Sequence, residues 1–177
     1  MSQKSADNPN RDPAQPVAVR WIWRLALLLV FLYAFRAYQQ QGVISGPVKP
    51  LFGEALNGAP VAPKPLAGRV GVIHFWATWC EVCRTMNGSV AAVSRDFPVV
   101  TVASLSGSKE QVGGYLRTNR LSFPVLVDSE GRLAVSYGVA AFPTTIVVDK
   151  KGKIRFTEIG YTTEIGLRAR LWLASKL

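Results

Sequence analysis

The sequence predicts an α/β domain, a sheet with helices on both faces, set behind one membrane-spanning helix. Three observations carry that prediction. The stretch Trp21 to Tyr38 is apolar and holds no acidic residue. Beyond residue 69, short apolar runs alternate with segments of helical periodicity. Two late apolar runs flank Asp149-Lys150-Lys151-Gly152, which reads as a β-hairpin turn, and a closing helix follows.

The chain has 177 residues, 49% of them hydrophobic, which suffices for one domain of ordinary size and an additional segment. That segment is N-terminal. Residues 1–19 are polar, carry Pro9, Pro13 and Pro16, and show no apolar periodicity, so a flexible cytoplasmic tail is expected. Residues 20–38 are expected to form a transmembrane anchor. Eighteen helical residues span about 27 Å, close to the hydrocarbon thickness of a bilayer. Arg24 and Arg36 lie near its ends, where their stems reach the headgroups, and Trp21, Trp23, Tyr33 and Tyr38 suit the interface. A cleaved signal peptide and a buried soluble helix are the alternatives. Against cleavage, no small-x-small pattern stands around residues 34–42 and the leading polar region is long. Lys4, Arg11, Arg20 and Arg24 weight the N-terminal side with positive charge, so the C-terminal domain is expected to be exported.

Residues 39–68 are rich in Gly, Pro and Gln and read as a juxtamembrane linker and the N-terminal edge of the domain. The domain proper is expected over 69–177. Val70 to Trp76 is an apolar run suited to a central strand buried on both faces. A helix follows, with Val82, Met86, Val90, Val93 and Phe97 at three- and four-residue steps, which puts Cys80 at or just before its first turn. Val99 to Ala103 is a second strand. Ser108-Lys109-Glu110-Gln111 has the form of a capping box opening a helix to about Asn119. Val125 to Val127 is a third strand, Asp128 to Gly131 a turn and Leu133 to Tyr137 a short helix. Thr144 to Val148 and Ile154 to Ile159 form the hairpin. The closing helix runs from about Thr163 to Leu177, with Ile165, Leu167, Leu171 and Trp172 turned to the sheet.

The only two cysteines stand in Cys80-Glu81-Val82-Cys83. Paired thiols three positions apart can close on each other, and one can attack a mixed disulfide held by its neighbour. Unpaired amides at a helix N-terminus favour a thiolate on Cys80, so Cys80 is the expected attacking group and Cys83, one turn into the helix, the resolving one. A structural staple closing so short a loop would add little stability. A two-thiolate Cu(I) site is a further alternative, although no third Cys or Met-x-x-Met set stands nearby, and no resident metal is expected. The formal charge of +10 is spread along the chain. Its one cluster, Lys150, Lys151, Lys153 and Arg155, reads as a solvated turn, and attraction to anionic lipid is a more economical reading than nucleic-acid binding.

His74-Phe-Trp-Ala-Thr-Trp-Cys-Glu-Val-Cys-Arg84 resembles the active-site stretch of thioredoxin-fold oxidoreductases, and Phe142-Pro143-Thr144 resembles their cis-proline loop. The segment between Ser106 and Val127 resembles the central insertion of the TlpA-like branch, which includes membrane-anchored ResA-, CcmG/DsbE- and ScsD-type proteins. The likeness covers roughly Leu51 to Leu177. It implies a thioredoxin-like fold with a central mixed sheet and a redox-active disulfide between Cys80 and Cys83 with no dissolved cofactor. It also implies a bacterial inner-membrane location with the domain in the periplasm or at the cell exterior. Trp79 would cover the nucleophile, while Trp76 reads as core. Phe142 and Pro143 would sit opposite Cys80, the peptide bond between them cis where sequence alone favours trans, and Thr144 would follow on the strand.

Glu81 and Val82 are expected to tune the potential, Glu81 by opposing thiolate formation. His74 stands where thioredoxins carry a buried acid, and it is either a satisfied core residue or a proton relay for Cys83. Val82, where many relatives carry Pro, leans toward the ScsD-like group and a part in metal-stress tolerance. The Gly-x-Pro-Glu of CcmG-like proteins is replaced by Ala140-Ala-Phe-Pro-Thr144, which lowers cytochrome c maturation as the alternative. A peroxidase is disfavoured because no Thr lies three residues before either cysteine. The implied partners are exported proteins with thiols or disulfides, a membrane electron-transfer protein, and the bilayer through one helix.

Overall fold

Strand β1 (Gly71–Trp76) runs through the middle of the sheet with every residue buried, as its unbroken apolar run requires of a strand covered on both faces. The computed structural model describes residues 17–40, 43–52, 55–56, 66 and 68–177, with helical side chains of the N-terminal segment described over 19–35. The tail expected over 1–19 lies, up to residue 16, outside the described residues. So does much of the stretch between 53 and 67.

Two compact units divide between Gln39 and Gln40. The first contains α1 (Val17–Gln40) except for its last residue. Its apolar side chains from Leu27 to Leu32 are consecutive and exposed, so they point to every side of the helix. The expected span to residue 38 runs past the described side chains, and among the described residues no helix is long and apolar enough to cross a membrane.

The second unit holds a five-stranded mixed sheet in the order β3-β2-β1-β4-β5. After β1 the chain forms α2 (Glu81–Val93), β2 (Val99–Ser104), α3 (Lys109–Thr118), β3 (Val125–Asp128) and α4 (Arg132–Ser136). The β4–β5 hairpin (Thr144–Val148, Ile154–Ile159) and α5 (Glu164–Ser175) complete it. β1 is parallel to β2 in the register Val72↔Val99 and antiparallel to β4 from Gly71↔Val148 to Phe75↔Thr144. The C-terminal end of β1 therefore meets the start of β4, and the β4–β5 turn lies at the opposite end. The expected capping box forms, Ser108 accepting from the Gln111 amide and Gln111 accepting from the Ser108 amide.

Alternation along β1 divides the core. Val72 and Trp76 face a cluster with Met86, Val90 and Val93 of α2 and with Leu167, Leu171 and Ala174 of α5. Ile73 and Phe75 face Leu51, Tyr137, Ile146 and Val148 on the other side. Residues 43–52 join this second core: the Val48 amide donates to the Gly152 carbonyl, the Tyr137 hydroxyl to the Lys49 carbonyl, and Leu51 is fully buried.

Four residues are placed otherwise than their spacing predicts. Ile165 and Trp172 are 81% and 60% exposed, because α5 turns Leu167, Leu171 and Ala174 inward instead. Val82 is exposed on the first turn of α2, and Phe97 lies beyond that helix, half-buried. Leu171→Ala is expected to cost about 2–5 kcal/mol of unfolding free energy as a cavity mutant. Trp172→Ala should cost less than about 1 kcal/mol, as exposed positions do. Urea unfolding that gave equal costs would contradict this phase of the helix.

Candidate active site

The turn from β1 into α2 places the two cysteines. Cys80 is the N-cap of α2, with extended backbone at φ −86° and ψ 112°, and its sulfur accepts the Cys83 amide at 3.1 Å. This is the N-cap hydrogen bond that a Ser or Asp oxygen ordinarily accepts, made here by sulfur. A disulfide joins Cys80 to Cys83, with Cα atoms 5.2 Å apart. Cys80 keeps 8% of its surface and Cys83 none, so only the first has any approach from solvent.

Two loops hold this turn from outside the sequence motif. The Thr78 amide donates to Ser106 Oγ, and Ser106 Oγ in turn donates to the Ser104 carbonyl. The Trp79 indole Nε1 donates to the Leu105 carbonyl at 2.9 Å, with Leu105 in the left-handed region at φ 52°. Trp79 is 65% exposed and meets Phe142 edge-on, ring centroids 5.9 Å apart. Trp76 is wholly buried between Tyr115 and Phe123, as expected of core.

The Trp79–Phe142 contact brings the proline loop against the cysteine turn. The Phe142–Pro143 peptide is cis. Pro143 is buried and its carbonyl accepts the Gly160 amide, while the Thr144 hydroxyl donates to the Ala141 carbonyl. Thr144 is itself fully buried, so it braces this loop from within.

Arg84 changes the expectation for Glu81. Its guanidinium donates to the Glu81 carboxylate one turn away, and that bond, followed by the cation's charge, holds Glu81 below the usual carboxylate range. The negative charge expected to oppose a thiolate is thus largely balanced, on a fully solvated pair. Val82 stands exposed beside it.

His74 lies between Val72 and Trp76 on the strand face that packs against α2. Its Nδ1 is 2.9 Å from the Thr145 hydroxyl, and Nε2 has no hydrogen-bond partner among the described residues. Burial pushes its pKa down to about 3. The ring is therefore uncharged at neutral pH, and only one of its two nitrogens is partnered among the described residues. Among the described residues no group of three or more His, Cys, Asp or Glu comes together to hold a metal ion.

The sequence profile described as the AhpC/TSA family matches residues 48–157, more than half of the chain. The chain belongs to the AhpC/TSA family. Thioredoxin-like protein YneN of Bacillus subtilis is 26% identical over 164 residues, covering 84% of this chain and 96% of that protein. Sporulation thiol-disulfide oxidoreductase A of the same organism is 28% identical over 152 residues, covering 81% and 88%. The solved structure of StoA from Bacillus subtilis superimposes with a TM-score of 0.61 at 25% identity, covering 72% of this chain and 98% of that one. A DsbF homologue from Corynebacterium diphtheriae gives 0.66 at 24% identity, covering 72% and 85%, a likeness of fold. With its family, its thioredoxin-like fold and the Cys80–Cys83 pair, this AhpC/TSA member is a thiol-disulfide oxidoreductase.

Residue spacing did not reveal Leu105, Ser106 or Thr145 as supports, since each acts across the sheet. Only Arg84, in the motif itself, carried a legible signal. The depressed His74 pKa gives a pH signature. Between about pH 6.5 and 3 the unfolded chain binds a proton that the native His74 refuses, so stability falls as pH drops. His74→Gln is expected to shrink the stability difference between pH 7 and pH 5 by about 1–2 kcal/mol. An unchanged difference in denaturant titrations would mean that the ring titrates normally.

Proposed function

We propose that the chain is a membrane-anchored, extracytoplasmic protein thiol-disulfide oxidoreductase in which Cys80 attacks and Cys83 resolves. The observation that carries this reading is the asymmetry of the pair: Cys80 caps α2 at the surface and Cys83 is enclosed one turn later. In the reduced protein the Cys80 thiolate attacks a substrate disulfide, forming a mixed disulfide and releasing one substrate thiolate. The Cys83 thiolate then attacks Cys80, closing the Cys80–Cys83 bond and releasing the second substrate thiol, so two electrons pass to the substrate. The dithiol stores those electrons, and no dissolved cofactor enters. Oxidation of a substrate dithiol is the same sequence reversed.

Trp79 and Phe142, whose rings meet, would offer an apolar surface to an extended substrate segment and the Phe142–Pro143 loop its backbone, with Thr144 bracing that loop from within. The substrates are exported proteins bearing thiols or disulfides. Val82 supports an ScsD-like part in metal-stress tolerance, and Ala140-Ala141 before Phe142 speaks against cytochrome c maturation. The anchor rests on α1: from Leu27 to Leu32 its exposed side chains are apolar on all sides of the helix, which calls for a lipid surround. An exported compartment is also where a disulfide persists. A reductive cycle then requires a separate membrane electron-transfer protein.

Cys80→Ala is expected to abolish insulin disulfide reduction. Cys83→Ala should accumulate mixed disulfides with exported proteins, seen as higher-mass bands that collapse under reductant. A Cys83→Ala protein that formed no adduct, or a Cys80→Ala protein that kept its activity, would contradict these roles.

A further inference from the structure

We propose that the end of the domain opposite the disulfide, the β4–β5 turn together with the C-terminal face of α5, is a docking surface for an anionic lipid bilayer. It deepens the anchored reading and rests on it for the membrane's presence. Three observations converge on this end. The first is the path of the chain. The Ile44 amide donates to the Tyr137 carbonyl, and a few residues later the Gly46 carbonyl accepts the Ile154 amide and the Val48 amide donates to the Gly152 carbonyl, so the segment leading into the domain passes along the β4–β5 turn.

The second observation is charge. Lys150, Lys151 and Lys153 are exposed on this turn, and Lys150 lines a shallow hollow with Arg69 and Ser175. The carboxylates nearby are already engaged. Asp149 is buried, its Oδ1 accepting the Lys151 and Lys153 amides and its Oδ2 the Arg155 guanidinium at 2.6 Å, while Asp96 is held by Arg168. Among the described residues Arg69, Lys150 and Lys153 have no carboxylate partner. The turn is locked from below by Asp149 and presents cations outward.

The third observation is an apolar face beside those cations. Trp172, Leu173 and Leu177 are 60%, 46% and 52% exposed, Lys176 lies over the Trp172 ring at 5.8 Å, and the Lys151 amine donates to the Leu177 carbonyl at 3.2 Å. Tryptophan and leucine fringed by lysines match the headgroup boundary, where apolar rings enter and amines stay with phosphates. A folded water-soluble partner would complement neither the path of the chain along this turn nor this mixture as directly. The β1 strand, about 20 Å long, separates this surface from Cys80. Docking would therefore hold the redox pair facing away from the bilayer, toward exported substrates.

The test uses the full chain in lipid nanodiscs of phosphatidylglycerol or phosphatidylcholine, with uncharged amine acylation read lysine by lysine by mass spectrometry. Lys150, Lys153 and Lys176 are expected to react several-fold more slowly in phosphatidylglycerol, with Lys109, at the disulfide end, unchanged. High salt should remove that protection by screening, and Trp172→Ser should weaken it without altering insulin reduction. Equal reactivity of these lysines in both lipids, or stronger shielding of Lys109, would overturn the docking surface. Anchoring is read apart from it, by whether the chain floats with phosphatidylcholine vesicles. A chain that does not float there, yet is shielded only by phosphatidylglycerol, would remove the anchor and keep the surface.

Discussion

A sulfur atom closes the first turn of α2 in this protein. Cys80 accepts the Cys83 amide where an oxygen usually caps a helix, and the rest of the site follows from that substitution. The same unpaired amides that make a helix start a good place for negative charge would act on a Cys80 thiolate. The cap also sets the second cysteine one turn deeper, where no solvent reaches it. The two sulfurs are thus distinguished by one hydrogen bond and the pitch of a helix.

Keeping that cap in place is the work of the sheet. β1 is buried on both faces and flanked by β2 and β4, so its end is held from both sides of the sheet and by both neighbouring strands. From there the loop after β2 reaches over: Ser106 takes the Thr78 amide, and the Leu105 carbonyl takes the Trp79 indole. Phe142 closes the other side against Trp79. The residues around the disulfide are therefore held in place by contacts with neighbours distant in sequence, which is what a site that must be preformed needs.

Much of this was legible in the sequence where the signal is local. The apolar run before Cys80, the Ser108–Gln111 capping box and the turn at Asp149 to Gly152 each determine their own structure within a few residues, and each element forms where its pattern stands. α5 shows the limit of such patterns. Its apolar residues cluster so densely at 171 to 174 that periodicity admits more than one inward face, and packing of Leu167, Leu171 and Ala174 against α2 and β4 decides among them. Composition likewise marks residues 43–52 as proline- and glycine-rich. It carries no sign that Leu51 enters the core or that Tyr137 bonds to Lys49 across the fold. His74 was visible as an anomaly on a central strand, but its lack of charge depends on complete burial and on Thr145, neither of which a single position reveals.

The family profile and the residues present also fit together chemically. An AhpC/TSA match alone leaves open whether a chain reduces peroxides or exchanges disulfides, but Ala77 stands three residues before Cys80, where a peroxidatic cysteine would need a threonine. The closed pair three positions apart belongs to exchange chemistry. The most direct measurement is the pH dependence of iodoacetamide alkylation of the reduced protein, resolved for each cysteine by mass spectrometry. Cys80 is expected to react first, with a midpoint at least about one unit below the ~8.5 of a free thiol, and Cys83 to stay protected in the native state. Equal rates at both positions, or a Cys80 midpoint at the free-thiol value, would contradict the helix-capped thiolate on which the chemistry depends.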